Sequence, residues 1–103
     1  MSIVCIVSRV YQHGDKKGYW FGFHPYQRDF LKLSKKSYVV LGCGDKDTVL
    51  VIDFHKFEEW LQYMNRTEKT NRSYWHVHIY KEDHKMFLSL KNDKIVDITE
   101  NVI

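Results

Sequence analysis

The stretch "YWHVHIY", residues 74–80, decides the fold because it has the alternation of a β-strand that is buried on one side only. Successive side chains of a strand point to opposite faces of its sheet. One face carries the apolar side chains that belong in a core: Trp75, Val77 and Ile79. The opposite face carries four rings with polar edges: Tyr74, His76, His78 and Tyr80. The stretch therefore predicts a sheet that packs on a core with one face and presents rings on the other.

A second stretch, "YWFGFH" at residues 19–24, has the same kind of alternation. Tyr19, Phe21 and Phe23 fall on one side of this predicted strand. Trp20 falls on the other side. If the two strands belong to one sheet, Trp20 joins the tyrosines and histidines of residues 74–80.

The remaining patterns predict strands and helices in the order ββα-ββα-ββ. Further strands are predicted at residues 3–11, 37–43, 48–54 and 86–92, with a short final strand at 94–98. Helices are predicted at 25–36, where Tyr26, Phe30 and Leu33 recur at helical spacing, and at 55–65, where Phe57, Trp60, Leu61 and Met64 do so. Polar residues 66–73 are predicted to form a loop. A loop longer than two residues at 13–18 and a Gly/Asp-type hairpin turn at 44–47 join neighbouring strands.

This order predicts an α+β fold with one domain, residues 1–103. Its sheet is expected to be mostly antiparallel, with about six strands and with both helices on one face. The chain has no apolar run near the ~18 residues of a transmembrane helix, and its start has no signal-peptide pattern. Two widely spaced cysteines, Cys5 and Cys43, are expected to be buried reduced thiols. We therefore expect a cytoplasmic protein without a membrane partner.

The positive charge of the chain is concentrated in its first half. Residues 1–50 carry eight Lys and Arg against four Asp, whereas residues 51–103 carry eight against nine acidic residues. A basic region beside exposed rings is typical of nucleic-acid binding, in which rings stack on bases and cations contact phosphates. The predicted stacking residues are Trp20, Tyr74, His76, His78 and Tyr80. The predicted phosphate contacts are Lys16, Lys17, Lys35, Lys36, Arg66, Lys69 and Arg72.

Two other interpretations use the same face. Tyr, Trp and Phe are enriched at the centres of protein interfaces, so the face equally fits a protein partner or a second copy of the chain. His76 and His78 lie on the same side of one strand and are weak candidates for metal ligands. A metal site needs further ligands, which the sequence does not place nearby.

Catalytic motifs are weak by comparison. Asp53 precedes a predicted helix, where a capping role explains it without chemistry. Cys43 lies between two glycines that a tight hairpin needs in any case. The sequence contains no Gly-rich phosphate loop and no His-Glu-x-x-His motif, so we expect no cofactor and favour a binding protein over an enzyme.

The succession of "YWFGFHPYQRDFL", "YVVLGCG" and "WHVHIY" is similar to small accessory domains of bacterial restriction or DNA-processing proteins. The similarity includes no diagnostic motif, so it assigns no roles to individual residues. It favours DNA as the partner. The sequence thus predicts a nucleic-acid-binding, and more specifically DNA-binding, α+β domain.

Overall fold

The structure, a computed structural model, describes residues 1–13, 16–44 and 48–103, without the side chains of residues 9, 11–13 and 16. Its strands are β1 (Ser2–Val7), β2 (Arg9–His13), β3 (Lys16–Phe23), β4 (Ser37–Gly42), β5 (Val49–Asp53), β6 (Arg66–Lys69), β7 (Arg72–Glu82), β8 (Lys85–Ser89) and β9 (Ile95–Asp97). Its α-helices are α1 (Pro25–Leu31) and α2 (Phe54–Leu61), and a 3-10 turn follows at Thr99–Asn101. The predicted α+β class is confirmed.

The described strands form two sheets. The larger sheet has the order β2-β3-β7-β8-β9 and is antiparallel throughout, and β6 also pairs with β7. The smaller sheet has the order β1-β4-β5, in which β1 and β4 are parallel and β4 and β5 antiparallel. The strands therefore number nine in the described part, rather than the six expected.

The predicted first strand, residues 3–11, is divided between the two sheets. Ser8 separates β1 from β2, and its amide donates a hydrogen bond to the carbonyl of Gly42 at the end of β4. A continuous run of β-branched residues gives no sign of this division, because either side of the break has equal strand propensity. The break allows one run of chain to supply an edge strand to each sheet.

One hydrophobic core joins both sheets and α2. The larger sheet contributes the buried residues Tyr19, Phe21, Phe23, Trp75, Val77, Ile79, Met86 and Leu88, and the smaller sheet contributes Val39, Leu41, Leu50 and Ile52. Phe57 of α2 contacts Phe23 edge-on, with ring centroids 4.9 Å apart. The alternation in residues 19–23 and 74–80 therefore predicts the buried face correctly.

The two helices differ in how well their sequence patterns predict burial. In the second helix the expected Phe57, Leu61 and Met64 are buried, and Trp60 is half-buried. The prediction for the first helix is wrong, because its expected apolar stripe faces solvent: Tyr26 is 69%, Phe30 47% and Leu33 81% exposed.

The length of the first helix explains the exposure of Leu33. The helix α1 ends at Leu31, which is the one residue of it that is fully buried. Leu33 lies beyond the helix, so helical spacing no longer relates it to the preceding residues. Pro25 occupies the first turn as expected, and the amide of His24 donates to the side-chain oxygen of Gln27 at 2.8 Å.

The predicted polar loop at 66–73 is instead a hairpin. Its first arm, β6, pairs with the start of β7, with Thr67 opposite Tyr74. Backbone pairing needs no apolar side chain, and charged residues are common on edge strands because they discourage pairing with other chains. The extension lengthens β7 to eleven residues.

Two smaller expectations are also corrected. Cys5 is an exposed cysteine, whereas Cys43 is buried as expected. Asp53 precedes α2 but makes no side-chain capping bond. The turn predicted at 13–18 falls partly, and the turn at 44–47 largely, outside the described residues. None of the helices within the described ranges is long and apolar enough to cross a membrane.

Candidate nucleic-acid interface

The pairing of β3 with β7 assembles the ring-bearing face that the sequence predicts. Trp20 pairs with His78, and Gly22 pairs with His76. Because paired residues of neighbouring strands point to the same side, the rings of both strands lie together on the side opposite the core. We call this surface the aromatic face and define it by Trp20, His24, Tyr74, His76, His78 and Tyr80.

The rings of β7 form a continuous row along the strand. Tyr74 and His76 are stacked with centroids 5.2 Å apart, and His76 and His78 are stacked at 6.2 Å. His24, which follows the end of β3, extends the row at 5.7 Å from Tyr74. These spacings fall in the range of ordinary aromatic pairs, so the rings hold one another in place.

Trp20 is oriented across this row. Its ring makes edge contacts with Tyr74, at 5.9 Å and 87°, and with His76, at 5.6 Å and 78°. The indole extends along its own strand over Gly22, where its Cη2 atom lies 3.5 Å from the place a Cβ atom would take. Trp20 is 36% exposed, so part of its surface is open to a ligand.

A depression of about 300 Å³ opens beside this tryptophan, lined by Trp20, Gly22, His24, Arg72 and Tyr74. We call it the tryptophan pocket. Gly22 leaves room between Trp20 and Tyr74, since a glycine has no side chain to fill the space. The sequence prediction of site residues omits Gly22 and His24. The alternation in "YWFGFH" is the signal that identifies them, because it places both on the side of Trp20.

A second depression, of about 500 Å³, lies at the tip of the β6–β7 hairpin and is lined by Lys69, Thr70, Asn71 and Arg72. We call it the hairpin depression. Arg72 lines both depressions, so they adjoin at its side chain. Lys69 and Arg72 are exposed and are the two predicted phosphate contacts that the structure brings to the aromatic face.

Four of the other predicted cations lie elsewhere: Arg66, Lys35, Lys36 and Lys17. Arg66 packs its guanidinium over Trp75, 4.6 Å from the ring centroid, and pairs with Glu68 at 3.3 Å. It pairs with Trp75 across the strands and so points to the opposite side from the aromatic face. Lys35 and Lys36 are exposed in the connection to β4, in the other sheet.

The remaining two cations belong to the start of β3. Lys17 is exposed and pairs with Lys81. It lies two residues before the buried Tyr19, so it is on the face of Tyr19 and not on that of Trp20. Lys16 pairs with His13, and its side chain lies outside the described part of the chain. The basic patch expected from the sequence is therefore dispersed over the surface.

The histidines of the aromatic face differ in their surroundings. The Nε2 atom of His76 lies 2.6 Å from the hydroxyl oxygen of Thr67 on β6, within hydrogen-bonding distance. Burial, and secondly the neighbouring His76, lowers the pKa of His78 below its ordinary value of 6.5. His78 therefore resists protonation, because its partly dry position offers a positive charge little solvation.

His76 and His78 do not have the neighbours that a metal site needs. Across residues 1–13, 16–44 and 48–103, no group of three or more His, Cys, Asp or Glu side chains is arranged to hold a metal ion. The bond of His76 to Thr67 also engages one of its ring nitrogens. Among the described residues, the weak metal candidates therefore have no third ligand beside them.

The far end of the aromatic face has a different character. Tyr80 stacks on Phe87 of β8, with centroids 5.3 Å apart, and Phe87 pairs with Asp97 of β9. A smaller depression of about 280 Å³ in this region is lined by Glu82, Asp83, His84, Lys85 and Phe87. The charged residues that line the depressions are therefore cations at the hairpin end, whereas two carboxylates and one lysine line the depression near Tyr80.

Comparisons of the chain with protein-family models, with curated proteins and with solved structures find no significant match.

Proposed function

We propose that this protein binds nucleic acid, DNA in particular, through the hairpin end of its aromatic face. The observation that carries the proposal is the position of Arg72, which lines a pocket walled by Trp20 and Tyr74 as well as the cationic hairpin depression. Binding of a nucleic-acid strand needs rings that stack on a base and, beside them, cations that contact a phosphate.

The geometry favours unpaired bases over a duplex. Stacking on a protein ring needs a base whose face is free, and a base inside a duplex has both faces covered by its neighbours. Each stacked base contributes ~1–3 kcal/mol, so one or two bases on this face would dominate the affinity. The proposal therefore includes a preference for single strands.

The distribution of charge indicates which end of the aromatic face a bound strand would contact. Lys69 and Arg72 would attract phosphates at the hairpin end, whereas near Tyr80 the carboxylates of Glu82, Asp83 and Asp97 outnumber Lys85 and make that end less favourable for phosphates. Bound strand would accordingly contact Trp20, His24 and Tyr74 more than Tyr80. A DNA partner would fit a cytoplasmic location and a role as an accessory domain in a bacterial restriction or DNA-processing system.

The test is binding of the purified chain to labelled single- and double-stranded DNA and RNA at about 50 and 200 mM salt. We expect single strands to bind best, and the affinity to fall at least about tenfold between the two salt concentrations as counterions are released. A preference of DNA over RNA would support the DNA assignment. If none of the four polymers binds at low salt, the proposal is wrong.

Matched variants separate the aromatic face from general positive charge. Arg72→Ala and Lys35→Ala remove the same charge, but only Arg72 borders the tryptophan pocket. We expect Arg72→Ala to weaken binding about tenfold or more, and Lys35→Ala to weaken it less than twofold. Equal losses would show that binding depends on net charge alone.

A second function, self-association, is favoured by the exposed stripe on the first helix. Tyr26, Phe30 and Leu33 are open to solvent, and Tyr26 stacks on His24 with centroids 5.4 Å apart. The stacking of Tyr26 on His24 connects these exposed apolar side chains to the aromatic face, and adjoining exposed apolar groups are typical of protein interaction sites.

Sedimentation equilibrium distinguishes this second function from the first. A homodimer formed by the stripe would persist at high salt, because apolar burial is little affected by charge screening. The paired substitution Phe30→Ser and Leu33→Ser would abolish it. A chain that remains monomeric at high concentration would exclude a homodimer.

A further inference from the structure

We infer that the tryptophan pocket and the hairpin depression together receive one unpaired nucleotide of a bound strand, with the base beside Trp20 and the phosphate beside Arg72. The inference rests on the proposed function and adds a subsite to it. It specifies which part of the strand is recognised and by which side chains.

The size of the pocket limits what its aromatic part can hold. Its volume of about 300 Å³ lies at the lower end of the ~300–1,000 Å³ that is typical of small-molecule sites. Such a space fits one planar ring system and is too small for a base pair. Its base would therefore have to be unpaired or turned out of a helix, as in proteins that extrude a base.

The walls of the pocket suit the face and the edge of a base. The rings of Trp20 and Tyr74 are nearly perpendicular, at 87°. A base that stacks on one of these rings presents its edge to the other, and both arrangements are favourable for aromatic groups. The hydroxyl of Tyr74 and the ring nitrogens of His24 add polar atoms that can bond with the edge of a base.

The hairpin depression suits the phosphate of the same nucleotide. Its lining contributes two cations, Lys69 and Arg72, together with the hydroxyl of Thr70 and the amide of Asn71. Among the described residues that line either depression, none is acidic. Arg72 lines both depressions, and a planar guanidinium binds phosphate oxygens in pairs, so we assign to Arg72 the phosphate of a base held in the pocket.

The experiment uses the full chain and tryptophan fluorescence, with deoxyadenosine 5′-monophosphate, deoxyadenosine and inorganic phosphate as probes. The chain has three tryptophans, and Trp60 and Trp75 lie outside the pocket. We expect the monophosphate to quench the native chain and the Trp60→Phe variant, because a stacked base quenches Trp20. The Trp20→Phe variant should lose the quenching.

The Arg72→Ala variant tests the phosphate contact in the same assay. It should weaken binding of the monophosphate at least about fivefold, while leaving the weaker binding of deoxyadenosine within twofold. Inorganic phosphate should compete with the monophosphate. Equal losses for both probes would overturn the placement of the phosphate beside Arg72.

A single-stranded oligonucleotide that carries one 2-aminopurine then separates the subsite from the proposed function. Strand binding with a change in 2-aminopurine fluorescence that depends on Trp20 supports both. Strand binding without that change, and without quenching by the monophosphate, overturns the subsite and leaves the proposed function standing. No strand binding overturns the proposed function, and binding of the monophosphate alone would then overturn the inference that the pocket receives part of a strand.

Discussion

The side chains of Thr67 and His76 lie 2.6 Å apart and connect the edge strand β6 to the row of rings on β7. This bond is the side-chain link that fixes the orientation of the His76 ring, which in turn contacts Trp20 and Tyr74. Because β6 also supplies one arm of the cationic hairpin, the bond couples the position of the cations to that of the rings.

Replacing Thr67 by Val removes the hydroxyl at nearly constant volume. We expect Thr67→Val to lower the free energy of unfolding by about 1 kcal/mol, the usual net contribution of one hydrogen bond. Thr70→Val is the control, because Thr70 is exposed in the hairpin turn. Urea unfolding of both variants measures the difference, and equal stability would contradict a structural role for the bond.

The lowered pKa of His78 gives the stability of the fold a pH dependence. The unfolded chain takes up a proton near pH 6.5, whereas burial keeps folded His78 neutral to a lower pH. The unfolded state therefore binds more protons as the pH falls through this range, and the free energy of unfolding should decrease as the pH falls through and below 6.5. His76 is the titratable residue that acts on the pKa of His78. Trp20 of β3 and Ser89 of β8 pair with His78 across the sheet.

The substitution His78→Gln should make the decrease shallower, because it removes the group that resists protonation. The control is His84→Gln in the exposed β7–β8 turn. Chemical unfolding at several pH values measures the slope for each protein. The interpretation fails if His78→Gln and the native chain show the same slope.

Arg66 and Arg72 should separate stability from binding. Arg66 and Arg28 both place guanidinium groups over Trp75, at 4.6 and 5.3 Å from the ring centroid. We expect Arg66→Ala to lower the free energy of unfolding by about 0.5–2 kcal/mol through the lost cation–π contact, with little loss of nucleic-acid affinity. Arg72→Ala should do the reverse. Unfolding curves and nucleic-acid binding curves of both variants measure the two effects. If both variants lose the same stability and the same affinity, the two arginines do not have separate roles.

The buried side of the larger sheet is predictable from sequence, whereas the composition of the site is only partly so. Alternation along residues 74–80 identifies which side chains are buried, because only one register of a strand can bury Trp75, Val77 and Ile79 together. The same alternation places Trp20 with the rings. These inferences are local, since they need only the period of a strand.

The remainder of the site depends on contacts between distant parts of the chain. Arg66 and Arg72 look alike in the sequence of a polar loop, but pairing in a hairpin sends them to opposite faces of the sheet. Lys35 and Lys36 are close in sequence to the first helix, but the chain then enters the other sheet. The number of charges in a segment cannot show where each cation lies, because the position of a cation follows from the order of the strands and not from composition.

Adding a side chain at Gly22, which lines the tryptophan pocket, provides the most selective test of the site. A Cβ atom at Gly22 would lie 3.5 Å from both Trp20 and Tyr74, an ordinary van der Waals distance. Gly22→Ala should therefore fold normally and gain slightly in strand propensity, since glycine is unfavourable inside a strand. Gly22→Val adds two methyl groups to the floor of the pocket and should reduce the space for a ligand.

We expect Gly22→Val to weaken binding of single strands at least about tenfold, a loss comparable to that of one stacked base. Gly22→Ala should weaken it less than about threefold, because it takes up less of the pocket. Thermal unfolding of both variants shows whether the fold is kept, and fluorescence anisotropy with a labelled strand measures the affinity. If Gly22→Val remains folded and binds as tightly as the native chain, strands do not occupy the tryptophan pocket.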